Sequence, residues 1–134
     1  MQDLMKKILI IDDDRDVLKV LQMALDQFDY KAFIAGGTGE AQEMLRLFSF
    51  DLIICDMNIP NESGIEFRKR MAKADPVLPP FIFCSGMVHQ FPINPLPEGV
   101  AGFLSKPFPL RTLLDTVENA LKITSRAEVS APIL

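Results

Sequence analysis

The sequence DLIICD at residues 51–56 decides the fold of the chain. Its four central residues are apolar without a break, and an aspartate bounds them on each side. An unbroken apolar run of this length is typical of a strand that helices cover on both faces of a parallel sheet. The run therefore predicts a central strand that ends in Asp56.

Four similar apolar runs predict the remaining strands, at residues 8–11, 31–35, 81–84 and 100–104. Apolar residues at helical spacing lie within residues 17–28, 41–48, 67–74 and 110–121. Strands and helices that alternate in this way predict an α/β fold with a doubly wound parallel sheet. Because 134 residues suit a single domain, we expect one at residues 6–123, followed by a flexible C-terminal tail at residues 124–134.

The segment between the fourth and fifth strands departs from this pattern. Residues 91–99 contain Pro92, Pro95 and Pro97. A proline inside a helix removes a backbone donor and clashes with the preceding turn, at a cost of about 3 kcal/mol or more. The helix expected here is therefore predicted to be short, distorted or missing.

The composition excludes several classes of protein. A net charge of −4 argues against direct nucleic-acid binding, which needs clustered lysines and arginines. The basic residues between 68 and 73 predict only a solvated helix face. The apolar run at residues 8–11 is too short for a signal peptide or a membrane span. Cys55 and Cys84 lie inside apolar runs, which favours buried thiols in a reducing compartment, and we expect a cytoplasmic location.

The polar residues that interrupt the apolar pattern lie at the carboxyl ends of the predicted strands. Asp12 and Asp13 follow the first strand, Asp56 ends the third, Ser85 ends the fourth and Lys106 follows the fifth. In open α/β sheets this edge is where ligands bind. If the first and third strands are neighbours, the three carboxylates converge on one pocket.

Three crowded carboxylates repel one another unless a cation neutralises them. Oxygen ligands of this kind suit Mg²⁺, which typically binds one or two carboxylates together with phosphate oxygens. Lys106 then fits the role of a movable positive charge for a phosphoryl group, and Ser85 that of a hydroxyl donor. The pattern thus indicates a magnesium-dependent phosphoryl site.

Four segments of the chain resemble the receiver domain of bacterial two-component response regulators. They are IIDDD at residues 10–14, DLIICDMNIP at residues 51–60 with Gly64, FCSG at residues 83–86, and GFLSKPF at residues 102–108. The likeness covers about residues 6–123, and it is specific because the four segments match in order. It implies a flavodoxin-like fold with five parallel strands in the order 2-1-3-4-5 and helices on both faces.

The resemblance also implies a role for each residue of the site. Asp13 would bind Mg²⁺ directly and Asp12 through a metal-bound water. Asp56 would be both a metal ligand and the phosphoacceptor, and Asn58 would contribute its backbone carbonyl.

Three further residues would respond to the phosphoryl group. Ser85 takes the position of the switch hydroxyl, Phe103 that of the switch aromatic and Lys106 that of the phosphoryl clamp. The bond between Lys106 and Pro107 is expected to be cis.

The function implied by the resemblance is that of a phosphorylation switch. Asp56 would accept a phosphoryl group from the phosphohistidine of a sensor histidine kinase or phosphotransfer protein. The change would alter binding to a downstream protein that the sequence does not name. The chain would assist its own phosphorylation and dephosphorylation but would have no separate turnover substrate. It would act alone, as chemotaxis-type regulators do, or as a piece of a longer protein.

Two alternatives remain open. A phosphorylation-inactive receiver that serves only as a scaffold would keep the same pocket, and failure to accept a phosphoryl group from acetyl phosphate would reveal it. A phosphatase with an aspartate nucleophile is less favoured, because such enzymes need an acid two residues after the nucleophile and Asn58 lies there. Turnover of phosphate esters would revive it.

Overall fold

The computed structural model describes residues 5–86 and 96–130. Its strands are β1 (Lys7–Ile11), β2 (Lys31–Ala35), β3 (Leu52–Asp56), β4 (Phe81–Ser85) and β5 (Val100–Ser105). The helices within these residues are α1 (Arg15–Gln27), α2 (Thr38–Leu47), α3 (Gly64–Ala74) and α4 (Leu110–Ser130). All five predicted strands are confirmed, and none of their ends moves by more than one residue.

The strands form one parallel sheet in the order β2-β1-β3-β4-β5, which confirms the predicted order. Every residue of β3 and β4 is buried. β3 lies at the centre of the sheet, between β1 and β4. Because all strands run the same way, their carboxyl ends share one edge, and Asp12, Asp56 and Ser85 are brought to it.

Successive residues of each strand pack into different cores on the two faces of the sheet. In β1, Ile8 and Ile10 belong to the core under α1 and α4, with Leu18 and Val117. Leu9 and Ile11 belong to the core under α2 and α3. Burial of such a side chain stabilises the fold by about 1.5–3 kcal/mol. Two covered faces explain why the strand sequences are apolar without alternation.

Side-chain caps fix the start of two helices beside this edge of the sheet. The Asp14 carboxylate accepts hydrogen bonds from the amides of Asp16 and Val17 and caps α1. Ser63 and Glu66 form a reciprocal capping box at the start of α3. Such caps satisfy amides that have no partner within the helix, so both loops leave the strands in a fixed direction.

The irregular helix was predicted at residues 91–99, and residues 91–95 of that segment lie outside the described residues. Residues 96–99 are described, and they end in a turn at Glu98 and Gly99. Gly99 has a φ of 78°, which favours glycine, and the Arg68 guanidinium lies against it.

α4 is longer than predicted. The prediction ended the domain at residue 123, whereas the helix continues to Ser130. The domain boundary itself stays a prediction. None of the helices in the described ranges is long and apolar enough to cross a bilayer.

Candidate functional site

The predicted acidic residues meet at the carboxyl edge of the sheet. Carboxylate oxygens of Asp12, Asp13 and Asp56 all lie within 4.8 Å of one another. Asp12 and Asp56 are buried, whereas Asp13 is exposed. The cluster therefore has two carboxylates anchored in the protein and one that faces solvent.

Lys106 joins the two buried carboxylates. Its Nζ lies 2.7 Å from Oδ2 of Asp12 and 3.0 Å from Oδ2 of Asp56. Burial alone would lower the pKa of Lys106, but these hydrogen bonds outweigh it and hold the pKa above its ordinary range. The ammonium group is therefore charged, and it offsets part of the repulsion between the aspartates.

The backbone directs Lys106 into the site. The Lys106 amide donates to the carbonyl of Ser85 at 2.8 Å, which extends the pairing of β4 with β5 by one residue. The bond between Lys106 and Pro107 is cis, as predicted.

Each oxygen of the Asp56 carboxylate has a donor. Oδ2 accepts from Lys106, and Oδ1 accepts from the backbone amide of Asn58 at 3.0 Å. In Asp12, Oδ2 accepts from Lys106 and Oδ1 accepts from the Asp14 amide at 2.9 Å. Both buried carboxylates are thus held in fixed orientations by partners from three different strand ends.

The loop between β3 and α3, residues 57–63, folds tightly over the end of β3. The Met57 amide donates to the Cys84 carbonyl at 2.9 Å, and the Gly64 amide donates to the Met57 carbonyl at 3.0 Å. A Cβ atom at Gly64 would lie 2.5 Å from the Asp56 carbonyl oxygen. Glycine is required there because α3 starts against the backbone of the site.

The two predicted switch residues lie in different surroundings. Ser85 is buried, and its Oγ accepts a hydrogen bond from the Asn58 side-chain amide at 3.5 Å. Phe103 is half-buried and stacks on Phe83 with ring centroids 6.2 Å apart. The structure thus brings Ser85 to the pocket, whereas Phe103 packs beside the core under α2 and α3.

The two cysteines are free thiols inside the sheet. Cys55 packs in the core under α2 and α3, and Cys84 packs in the core on the opposite face. Burial raises the pKa of Cys84 to about 12 and also raises the pKa of Cys55. Both therefore act as small apolar side chains next to the site.

Two arginines of α3 have partners that the sequence pattern did not reveal. Arg70 pairs with Glu62 of the β3–α3 loop and also donates to Gln42 of α2. Arg68 donates to the carbonyl of Glu98. A solvated face was predicted for this stretch, and Arg70 is indeed exposed, but both side chains tie α3 to other segments. The sequence gives no signal for either contact, because both depend on how α3 is rotated and on the paths of the neighbouring segments.

Comparison with known proteins gives concordant matches. A family model described as the response regulator receiver domain matches residues 8–118. The response regulator receiver protein CpdR of Brucella abortus is 34% identical over 119 residues, which are 87% of this chain and 98% of CpdR. The transcriptional regulatory protein ZraR of Escherichia coli is 29% identical over 93% of this chain, but the chain spans only 28% of the length of ZraR.

A solved structure extends this likeness to three dimensions. The chemotaxis response regulator CheY4 of Vibrio cholerae superposes with a TM-score of 0.73 at 28% sequence identity. The match covers 87% of this chain and 99% of that chain. The overall fold of this chain is therefore similar to that of a chemotaxis response regulator with measurable sequence similarity.

Proposed function

This chain belongs to the response regulator receiver domain family, and on that premise we propose that Asp56 accepts a phosphoryl group from a phosphohistidine. Receiver domains are phosphorylation-dependent signalling switches. The observation that carries the proposal is the convergence of Asp12, Asp13 and Asp56 with the ammonium group of Lys106. This arrangement offers a fixed carboxylate nucleophile beside a mobile positive charge.

A divalent cation fits this donor set. One ammonium group cannot neutralise three carboxylates, and every candidate ligand is an oxygen atom, as Mg²⁺ prefers. Asp12, Asp13, Asp56 and the backbone carbonyl of Asn58 would hold the ion. When bound, Mg²⁺ supplies positive charge beside the oxygens of the transferring phosphoryl group.

The residues of the chain provide positioning for the transfer. An oxygen of Asp56 attacks the phosphorus, the bond from phosphorus to the imidazole nitrogen breaks, and the electron pair stays on the imidazole. Lys106 exchanges its contact with Asp56 for one with a phosphoryl oxygen and so stabilises the charge that develops there. The product is an acyl phosphate on Asp56, which water later hydrolyses.

The phosphoryl group on Asp56 then changes the preferred positions of Ser85 and Phe103. The Ser85 hydroxyl turns from Asn58 and donates to a phosphoryl oxygen, and Phe103 turns inward from its half-buried position. These two movements change the face formed by β5 and α4, where binding of a downstream protein would respond. This is a shift between two packings whose populations the phosphoryl group alters.

Partners and location follow from this role. The phosphodonor would be a sensor histidine kinase or a phosphotransfer protein, and we assign no separate turnover substrate to the chain. We place the protein in the cytoplasm, where the free thiols of Cys55 and Cys84 suit a reducing environment.

Phosphorylation at Asp56 can be tested without the cognate kinase. We expect the native chain, incubated with acetyl phosphate and Mg²⁺, to give a retarded band on a phosphate-affinity gel. Asp56→Asn keeps the size of the side chain but removes the nucleophile, so its band should not shift. EDTA should abolish the shift of the native chain. An unshifted native band, or an equal shift in Asp56→Asn, would contradict the proposal.

A further inference from the structure

The loop at residues 57–63 contains Asn58, whose backbone contacts or would bind groups of the phosphoryl site. The Asn58 amide binds Oδ1 of Asp56, and the Asn58 carbonyl is a proposed metal ligand. Near its start, this loop is anchored by the buried side chain of Ile59 and by the backbone bonds of Met57. At its far end, the side chain of Glu62 provides a second anchor, and its partner is Arg70.

Arg70 makes an unusually complete set of contacts for a side chain on a helix surface. Its Nε and one terminal nitrogen donate to the two oxygens of Glu62 at 2.8 and 2.9 Å. The other terminal nitrogen donates to Oε1 of Gln42 at 2.7 Å. The guanidinium carbon also lies 5.5 Å from the centre of the Phe67 ring. One planar group thus joins the loop, α2 and α3 in a single geometry.

The Glu62 carboxylate is shared between two helices. Arg70 reaches it from α3, and the Thr38 hydroxyl at the start of α2 bonds to it as well. Both interactions hold the pKa of Glu62 below its ordinary value, with the bond from Arg70 as the larger cause. Glu62 is therefore ionised at neutral pH and bound on two sides.

We propose that Arg70 is a positioning residue for the phosphoryl site, because it fixes the loop that carries Asn58 without itself touching Asp56. This inference rests on the proposed function and adds a residue to it. Mg²⁺ demands near-ideal ligand geometry, so a loop that samples more orientations presents the Asn58 carbonyl less often in the required place.

The effect of Arg70 should appear in the loop more than in global stability. Exposed ion pairs contribute little to folding, and 44% of the Arg70 side chain is exposed. Outer residues that orient metal ligands nevertheless change metal affinity by about tenfold or more when removed. Arg70→Ala should therefore leave the urea midpoint nearly unchanged while the site weakens.

A matched control is available on α2. Arg46 pairs with Glu43 within the same helix, and both side chains are exposed. Arg46→Ala removes the same charge from a surface arginine but leaves the loop contacts in place. Arg70→Lys provides a second comparison, because lysine keeps the charge and loses the fork that binds both oxygens of Glu62 together with Gln42.

Two measurements decide the proposal. Amide hydrogen exchange without metal reports the loop directly, and we expect the Asn58 amide to exchange about threefold to tenfold faster in Arg70→Ala. Calorimetric titration reports the Mg²⁺ dissociation constant, which should rise about tenfold. Calorimetry is the suitable method because the chain has no tryptophan. Arg70→Lys should resemble Arg70→Ala, and Arg46→Ala should match the native chain.

The outcomes separate this proposal from the function on which it rests. Unchanged exchange at Asn58, equal losses in Arg46→Ala, or full recovery in Arg70→Lys would each overturn the positioning role of Arg70. Faster exchange with unchanged Mg²⁺ affinity would overturn it too. A native chain that neither binds Mg²⁺ nor accepts a phosphoryl group would instead refute the proposed function, and the exchange data would still decide whether Arg70 restrains the loop.

Discussion

Cys55 and Cys84 directly precede Asp56 and Ser85, yet both side chains lie in the cores and not in the carboxylate cluster. Each side chain points into a core, on opposite faces of the sheet. A strand directs successive side chains to opposite faces, so the residue before a site residue is buried wherever both faces are covered. The position of the cysteines therefore reflects packing.

The buried thiol of Cys84 should make stability depend on pH in the alkaline range. The pKa of a cysteine thiol is ordinarily 9.0, and burial in the folded chain raises the pKa of Cys84 to about 12. A group whose pKa is raised on folding contributes stability below the unfolded pKa, and this contribution is lost as the pH rises through the folded value. We expect the free energy of unfolding to fall by up to about 1.4 kcal/mol per pH unit between pH 9 and about pH 12 from this thiol.

Urea titrations of the native chain and Cys84→Ala between about pH 8 and pH 11 test this expectation. Cys84→Ala loses packing at every pH. The two proteins are therefore compared by the slope of the free energy of unfolding against pH, and not by its absolute value. The native chain should show the steeper decline. Parallel slopes for the two proteins would mean that Cys84 does not ionise on unfolding in this range.

Single residues also mark the limit of what the sequence predicted about the site. The predicted site residues could be placed together because each lies at the carboxyl end of a recognisable strand: Asp12, Asp13, Asp56, Ser85 and Lys106. The pairing of Arg70 with Glu62 could not be predicted, since it depends on how α3 is rotated and on the path of the loop. A basic residue on a helix gives no sequence signal for either.

At the level of elements, the start of α3 is fixed by a contact that only glycine permits. Gly64→Ala would place a Cβ atom 2.5 Å from the Asp56 carbonyl oxygen and 3.1 Å from Sγ of Cys55. We expect a loss of about 1–3 kcal/mol in the free energy of unfolding, because the helix must move away from the sheet. Urea denaturation followed by circular dichroism measures it.

Gly39→Ala is the control for this substitution. Gly39 lies in the first turn of α2, and nothing surrounds its Cβ position within 4 Å. Alanine should stabilise the helix there by about 0.5–1 kcal/mol. If both substitutions changed the free energy of unfolding by the same amount, the result would contradict the close contact between α3 and the end of β3.

Elements differ in how well the sequence predicts them. The strands were predictable because short, continuous apolar runs are typical of buried strands in a parallel sheet. The end of α4 was not, because residues 124–130 contain Thr124, Ser125 and Ser130, and polar residues near a helix end fit both a helix and a tail.

For the whole molecule, Mg²⁺ should act as a stabilising ligand. A ligand that binds only the folded chain raises its stability, by about 2.7 kcal/mol at a free concentration one hundred times the dissociation constant. We expect the urea midpoint to rise with Mg²⁺ in the native chain and to return after EDTA is added.

Asp13→Asn provides the comparison for the effect of Mg²⁺. Asp13 is exposed, so its substitution should leave the fold intact while it weakens the proposed metal site. Mg²⁺ should raise the urea midpoint of Asp13→Asn much less than that of the native chain. Equal stabilisation of both proteins would indicate a general salt effect instead of a site.

The contact between Lys106 and Asp12 joins residues that lie 94 positions apart in the chain. During synthesis on the ribosome, Asp12 and Asp56 emerge long before Lys106 does. The first three strands can meet early, but their acidic pocket lacks its counter-charge until β5 has been made and has docked on β4. On the proposed function, a growing chain would therefore lack the Lys106 contacts of its phosphoacceptor site until β5 has been made and has docked.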